Sequence, residues 1–179
     1  MMNPAIPNHR IKIDVMRLIE NKFDVTTFDN YRNLIVKFYG PADTPYEGGV
    51  WRVRVLLPDN YPFKSPSVGF DTQIFHPNVD QISGTICLDV LNQKWTALYD
   101  LVIIFDTFLP QLLKNPNPDD PLNHCAAMVL TRTPERYKYV VAKHVQEFAN
   151  PEKVKQWERG EDVEQESGIS DLSDNEEDG

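Results

Sequence analysis

Cysteine is scarce in this chain, and what there is does not pair by spacing. Only Cys87 and Cys125 occur, and they form no CxxC motif, so neither a zinc ribbon nor a redox dithiol is implied and no metal is expected. Long apolar runs are missing too. Leu101 to Phe105, for instance, has five residues, against the roughly 18 or more of a membrane helix. The opening Met-Met-Asn-Pro-Ala-Ile-Pro lacks the basic start and apolar stretch of a secretory signal. These absences lead us to expect a protein of the cytoplasm and nucleus, with reduced thiols and no membrane partner.

A surplus of positive charge is absent as well. The chain holds 18 Lys and Arg against 27 Asp and Glu. From Gly160 to Gly179 there are nine acids and no Lys or Arg, so this stretch alone carries the net charge of −9. The body before it balances to zero, which does not suit nucleic acid as a partner. The acidic stretch repels itself and has little to bury, so it is expected to be disordered. With 179 residues, 41% of them hydrophobic, one domain with a real core is expected. The organisation predicted is a loose N-terminus over 1–7, a core domain over 8–158 and an acidic tail over 159–179.

What is present is periodic. Ile11, Val15, Leu18 and Ile19 recur at helical spacing after Asn8, a suitable N-cap, with Arg10, Lys12, Arg17 and Lys22 off that face. Strands are predicted over Phe23–Phe28, Tyr31–Tyr39, Val50–Leu57 and Ser67–Phe70. In the third, Trp51, Val53, Val55 and Leu57 alternate with Arg52 and Arg54, the pattern of an antiparallel sheet with one wet face. Short connections imply a meander.

Leu98, Leu101, Val102, Phe105, Phe108, Leu109 and Leu112 suit a buried helix over Leu98–Lys114, bent or bulged by Pro110. Asp120-Pro121 reads as the cap and first position of another helix, ending near Leu130. Thr133-Pro134-Glu135 starts a last one, lined by Tyr137, Val141, Val145 and Phe148, with a short extension from Pro151 to Trp157. The fold class is α+β: an N-terminal helix, a four-stranded antiparallel meander, then about three helices.

One stretch reads as chemistry rather than packing: His76-Pro77-Asn78-Val79-Asp80-Gln81-Ile82-Ser83-Gly84-Thr85-Ile86-Cys87-Leu88-Asp89-Val90. Cysteine is usually a buried, inert residue, but Ser83-Gly84-Thr85 brings Cys87 out of a loop rather than a core strand. Neither His76 nor His124 stands where a paired base would, so a cysteine hydrolase is not favoured. A thiol that receives an acyl group already activated as a thioester needs no such base, because transfer between thiols is nearly energy-neutral. Asn78, nine residues upstream, reads either as a turn residue or as an amide donor to an oxyanion. His76 is expected to be a structural, hydrogen-bonded histidine, and Cys125 a small packed residue.

His76-Pro77-Asn78 with Gly84-Thr85-Ile86-Cys87-Leu88-Asp89 resembles the active-site signature of ubiquitin-conjugating enzymes. Thr44-Pro45-Tyr46-Glu47-Gly48-Gly49, Tyr61-Pro62-Phe63-Lys64-Ser65-Pro66 and Pro116-Asn117-Pro118-Asp119-Asp120-Pro121-Leu122 resemble further motifs of that family, in its order, over roughly residues 8–150. Phe108-Leu109-Pro110-Gln111-Leu112-Leu113 and the acidic Ser-Asp-Leu-Ser-Asp tail are most similar to its H-type branch.

The resemblance implies that Cys87 takes ubiquitin from the activating enzyme as a glycyl thioester and that a substrate lysine then attacks it. Asn78 would steady the oxyanion or the loop, and Asp120 would position the acceptor lysine. No cofactor is bound; ATP is used upstream by the activating enzyme. Arg10 and Lys12 match the helix face that meets the activating enzyme. Phe63 and Ala97, in the Trp95–Leu98 loop, match a patch for a RING-type ligase, with a CTLH/GID type suggested.

The chain also departs from the family pattern. The stretch from Asn78 to Cys87 is one residue longer than in many members, one residue is added around Pro110, and Trp95-Thr96-Ala97-Leu98 lacks the family's loop proline. A monomer is expected. Ser173, followed by Asp174 and Glu176, suits an acid-directed kinase whose action would propagate to Ser170 and Ser167, each phosphate adding about −1.5 to −2 charge. The alternative to an enzyme is a catalytically silent ubiquitin-binding scaffold.

Overall fold

In a computed structural model, residues 8–161 are described. The expected loose start over 1–7, most of the acidic tail and the candidate phosphorylation sites Ser167, Ser170 and Ser173 lie outside those residues.

Helix α1 (His9–Glu20) starts where the Asn8 side chain accepts a hydrogen bond from the Arg10 N–H. Its inward stripe is Ile11, Asp14, Val15 and Leu18, spaced i, i+3, i+4 and i+7. Ile19 is therefore turned outward and 46% exposed, against expectation, while a carboxylate occupies the core side. Strands β1 (Val25–Phe28), β2 (Asn33–Tyr39), β3 (Val50–Leu56) and β4 (Ser67–Phe70) pair antiparallel in the order β1-β2-β3-β4. The meander follows from the short connections. One of them places Asp29, Asn30 and Tyr31 at positive φ, where Asp and Asn are better tolerated than most residues. Leu34, Val36, Phe38, Trp51, Val53, Val55 and Leu57 face inward and are buried.

Among the described residues, five helical segments follow the sheet, where about three were expected. A short α2 (Leu88–Asn92) begins directly after Cys87 and was not anticipated. The central helix occupies residues 102–114 and does not start at Leu98, which is 92% exposed. Its middle, Ile104–Phe108, is a π-helical turn, and it continues as α3 (Leu109–Lys114). The Leu109 N–H donates to the Ile104 carbonyl, five residues back. This is the bulge expected around Pro110, which has no N–H to give. The wider turn absorbs a residue while Leu101, Ile104, Phe105, Leu109 and Leu113 all stay buried.

Helix α4 (His124–Arg132) starts later than expected. Its cap is Asn123, whose side chain accepts from the Ala126 N–H at 3.0 Å, so Asp120 and Pro121 remain in the loop. Cys125 is exposed on α4 rather than packed. Helices α5 (Pro134–Phe148) and α6 (Pro151–Glu158) complete the fold. Helix α6 folds back against the outer face of the sheet. Lys37 bridges Asp24 (2.7 Å) and Glu158 there, and Arg52 lies over the Trp157 ring. Asp24, then Glu158, hold the Lys37 ammonium above its ordinary pKa. Among the described residues no helix is long and apolar enough to cross a membrane, and no cluster of three or more His, Cys, Asp or Glu could hold a metal.

Candidate functional site

Residues 79–86 form a tight loop beside β4. The Val79–Ile86 and Gly69–Thr85 pairs are bridged, and the Phe70 N–H donates to the Gly84 carbonyl at 2.8 Å. Inside the loop the Asp80 carboxylate accepts from the Ile82 N–H (3.0 Å), the Ser83 N–H (2.7 Å) and the Ser83 hydroxyl (2.9 Å). Those donors, the Ser83 N–H first, pull the Asp80 pKa below its usual value. Gly84 sits at φ +71°, and a Cβ there would lie 1.8 Å from the Phe70 carbonyl oxygen, so only glycine lets the chain pass. The loop delivers Cys87 half-buried, at the start of α2. The thiol lies in an open depression lined by Asp80, Ser83, Thr85, Ile86, Asp89 and Leu122. No histidine lines it.

His76 is wholly buried. Its Nε2 lies 2.9 Å from the Leu112 carbonyl, and its Nδ1 accepts from the Asn78 N–H at 3.0 Å. A carbonyl only accepts, so the proton sits on Nε2. Burial lowers the imidazole pKa to about 4. It is the neutral structural residue expected, and it orients the backbone of Asn78.

The Asn78 side chain is 3% exposed. Its Nδ2 donates to the Asn117 carbonyl at 2.8 Å, and its Oδ1 accepts from the Asn117 N–H at 2.8 Å. Both ends of the amide are thus spent on one backbone unit. Of the two roles open to Asn78, this geometry supports bracing the loop: its oxygen and one N–H of its amide are engaged with Asn117.

The same loop, 115–123, is stitched down by the Pro77 carbonyl, which accepts from the Leu122 and Asn123 N–H groups at 2.9 and 3.0 Å. Asn123 adds a bond to the Gln81 side chain at 2.7 Å. This clamp, which also caps α4, was missed in the sequence because the preceding Asp-Asp-Pro looked like the cap. Asp120 itself is exposed in this braced loop and makes no hydrogen bond or ion pair among the described residues. Its supposed capping duty is gone, which leaves the carboxylate facing solvent. The structure therefore ties the loops that carry Cys87, Asn78 and Asp120 into one unit.

A second cavity, of about 290 Å³, opens between α2 and the π turn. Ile86, Val90, Leu91, Phe108, Leu109 and Leu112 line it, together with Asn78 and Asn117. Ile86, the residue before Cys87, lines both this cavity and the thiol depression.

None of the predicted partner-binding residues lines the thiol depression. Lys12 is exposed. Phe63 is 83% exposed. In the neighbouring loop Ala97 is half-buried and Leu98 carries the exposed apolar surface. Trp95 is core, its indole N–H donating to the Pro62 carbonyl at 2.8 Å. Arg10 differs most from expectation. Its side chain is 30% exposed and turned onto its own protein.

A family model described as ubiquitin-conjugating enzyme matches residues 10–145. Ubiquitin-conjugating enzyme E2 5 of Arabidopsis thaliana is 50% identical over 146 residues, covering 81% of this chain and 79% of its own. Ubiquitin-conjugating enzyme E2-24 kDa of Saccharomyces cerevisiae is 49% identical over 148 residues, covering 82% and 68%. Among solved structures, a putative ubiquitin-conjugating enzyme from Plasmodium yoelii superimposes with a TM-score of 0.72 at 28% identity, over 79% of this chain and 94% of that one.

Proposed function

This chain belongs to the ubiquitin-conjugating enzyme family, and on that premise we propose that Cys87 is the residue that carries ubiquitin and hands it to substrate lysines. Family membership makes it a transferase whose partners are ubiquitin, the activating enzyme, a ubiquitin ligase and protein substrates.

The observation that carries the proposal is the setting of Cys87: half-buried, open to solvent on one side, on a loop braced from three directions, and without a histidine beside it. Such a thiol is suited to receiving an activated acyl group rather than cleaving an amide. The Cys87 sulfur attacks the glycyl carbonyl held on the activating enzyme's thiol, and that thiol leaves. A lysine amine then attacks the Cys87-bound carbonyl, the C–S bond breaks, and an amide forms.

Free lysine is mostly protonated at neutral pH, with a pKa of ≈ 10.4, so the attacking amine must shed its proton. An exposed Asp120 carboxylate positions the amine and takes up its proton as the bond forms. Ile86 and the apolar cavity beside it give an extended chain attached to the sulfur a place to lie. ATP is consumed by the activating enzyme, not here. A half-buried thiol open to solvent on one side, in register with Asn78 and Asp120, speaks against the silent scaffold.

For the ligase, Phe63 and Leu98 favour a RING-type partner, because both present bare apolar surface on adjacent loops. The acidic stretch from Glu161 suits a basic groove on a multisubunit ligase of the CTLH/GID type. Deleting Glu161–Gly179 is expected to slow ligase-dependent transfer while thioester loading proceeds; equal ligase-dependent rates reject the tail's role. Single-turnover discharge of the loaded enzyme onto free lysine tests the transfer step, and Asp120→Ala is expected to slow it.

A further inference from the structure

Arg10 uses all three of its guanidinium nitrogens inside the protein. Nε donates to Asp14 at 2.9 Å, one terminal nitrogen donates to the Ala97 carbonyl at 3.1 Å, and the other donates to the Tyr99 carbonyl at 2.6 Å. The two carbonyls flank Leu98, which is 92% exposed. A loop with no proline in Trp95-Thr96-Ala97-Leu98 has no fixed φ to hold that tip. Arg10 holds it from outside the loop.

The anchor of this contact is Asp14, which has no exposed surface and lies on the core side of α1. Its Oδ2 accepts from both Arg10 and the Tyr61 hydroxyl. The Tyr61 carbonyl in turn accepts from the Asn8 side chain at 3.2 Å. Phe63, 83% exposed, stands two residues beyond Tyr61. The two loops also pack on each other through Trp95, whose ring lies 5.9 Å from Tyr61 and 6.2 Å from Tyr99. One Arg–Asp pair on α1 is therefore bonded to both loops, Arg10 to the carbonyls that flank Leu98 and Asp14 to Tyr61, two residues before Phe63. The rigid planar fork of arginine suits this task, because it spans three acceptors at fixed angles and a lysine ammonium does not.

We propose that Arg10 is a positioning residue for the ligase-stimulated step: seated on Asp14, it sets Leu98 and Phe63 as a single apolar patch. This rests on the reading that the ligase docks on those two tips. Arg10 acts through the patch rather than by touching the activating enzyme, a role that falls instead to exposed Lys12 on the same helix.

The test uses the full chain loaded with ubiquitin and a RING-type ligase domain. It compares Arg10→Ala, Arg10→Lys, Lys12→Ala and the tip variants Phe63→Ala and Leu98→Ala. Two quantities are read. One is the ratio of ligase-stimulated to unstimulated discharge. The other is hydrogen exchange at the Leu98 and Tyr99 amides. Arg10→Lys keeps a cation beside Asp14 and guards against a variant that fails to fold.

Expected for both Arg10 variants are a stimulation ratio lowered about tenfold, as for loss of a contact residue, and exchange at those two amides faster by a similar factor. Lys12→Ala is expected to slow loading more than Arg10→Ala does, and to leave the loop amides protected. Unchanged exchange and an unchanged ratio in Arg10→Ala overturn the proposal, as does a loading defect in that variant larger than its stimulation defect. If Phe63→Ala and Leu98→Ala keep full stimulation, the docking reading fails instead, and the amide exchange of the Arg10 variants still decides whether Arg10 sets the loop.

Discussion

Asn78 and Asn117 are joined by a closed pair of hydrogen bonds, both at 2.8 Å, in which one buried side-chain amide satisfies the N–H and the carbonyl of one backbone unit. Removing the amide leaves two part-buried backbone groups without partners, at about 1–3 kcal/mol each. Asn78→Ala is therefore expected to lower the urea midpoint clearly and to loosen the 115–123 loop. Asn78→Asp keeps the acceptor for the Asn117 N–H but sets a carboxylate oxygen against the Asn117 carbonyl, so it rescues little. Wild-type stability with a discharge rate reduced a hundredfold would instead make Asn78 an oxyanion donor.

Gly84 and Gly48 both hold positive φ, +71° and +85°, but only Gly84 is hemmed in. Gly48→Ala pays the left-handed conformation alone, about 1–2 kcal/mol. Gly84→Ala must also push the Phe70 carbonyl aside and break the Phe70–Gly84 hydrogen bond. Denaturant titrations should show the larger loss at Gly84, together with slower loading of Cys87, since the same loop delivers the thiol. Equal losses at the two positions would contradict the account of the loop.

His76 makes stability depend on acidity in a defined window. Its pKa falls from an ordinary 6.5 to about 4 in the folded protein because burial disfavours the cation. The unfolded chain then binds the extra proton first. Stability is full above about pH 6.5 and is lost as pH falls toward 4, by on the order of 3 kcal/mol. Tyr46, the ring packed 6.0 Å away, is neutral throughout this range. Urea midpoints between pH 7 and 4.5 should fall more steeply in the wild type than in His76→Gln. His144, also lowered by burial, contributes to both proteins and cancels in that comparison.

The sheet was legible because Trp51, Val53, Val55 and Leu57 alternate against Arg52 and Arg54, a period that only a half-buried strand explains. The cap at Asn8 and the bulge at Pro110 were legible for local reasons: one is a side chain that competes for backbone donors, the other a missing N–H. Errors arose where long-range bonds decided. Asn123 outcompeted Asp120-Pro121 as a helix start because it also reaches Gln81, 42 residues away. Leu98 looked like core by composition and became a surface tip, because Arg10 holds the carbonyls on either side of it. Asp14, a carboxylate on the core side of a helix, carried no periodic signal for its role. At the site, Cys87 stood out by its surroundings in sequence, whereas the closure of Asn78 onto Asn117 depends on a partner 39 residues on.

Whether Cys87 carries ubiquitin is read from a loading assay. The full chain is mixed with activating enzyme, ATP and ubiquitin and resolved with and without reductant. One adduct that reductant removes is expected, absent in Cys87→Ala, retained in Cys125→Ala, and replaced by a reductant-resistant oxyester in Cys87→Ser. A reductant-sensitive adduct that survives in Cys87→Ala, or none in the wild type, would contradict that role.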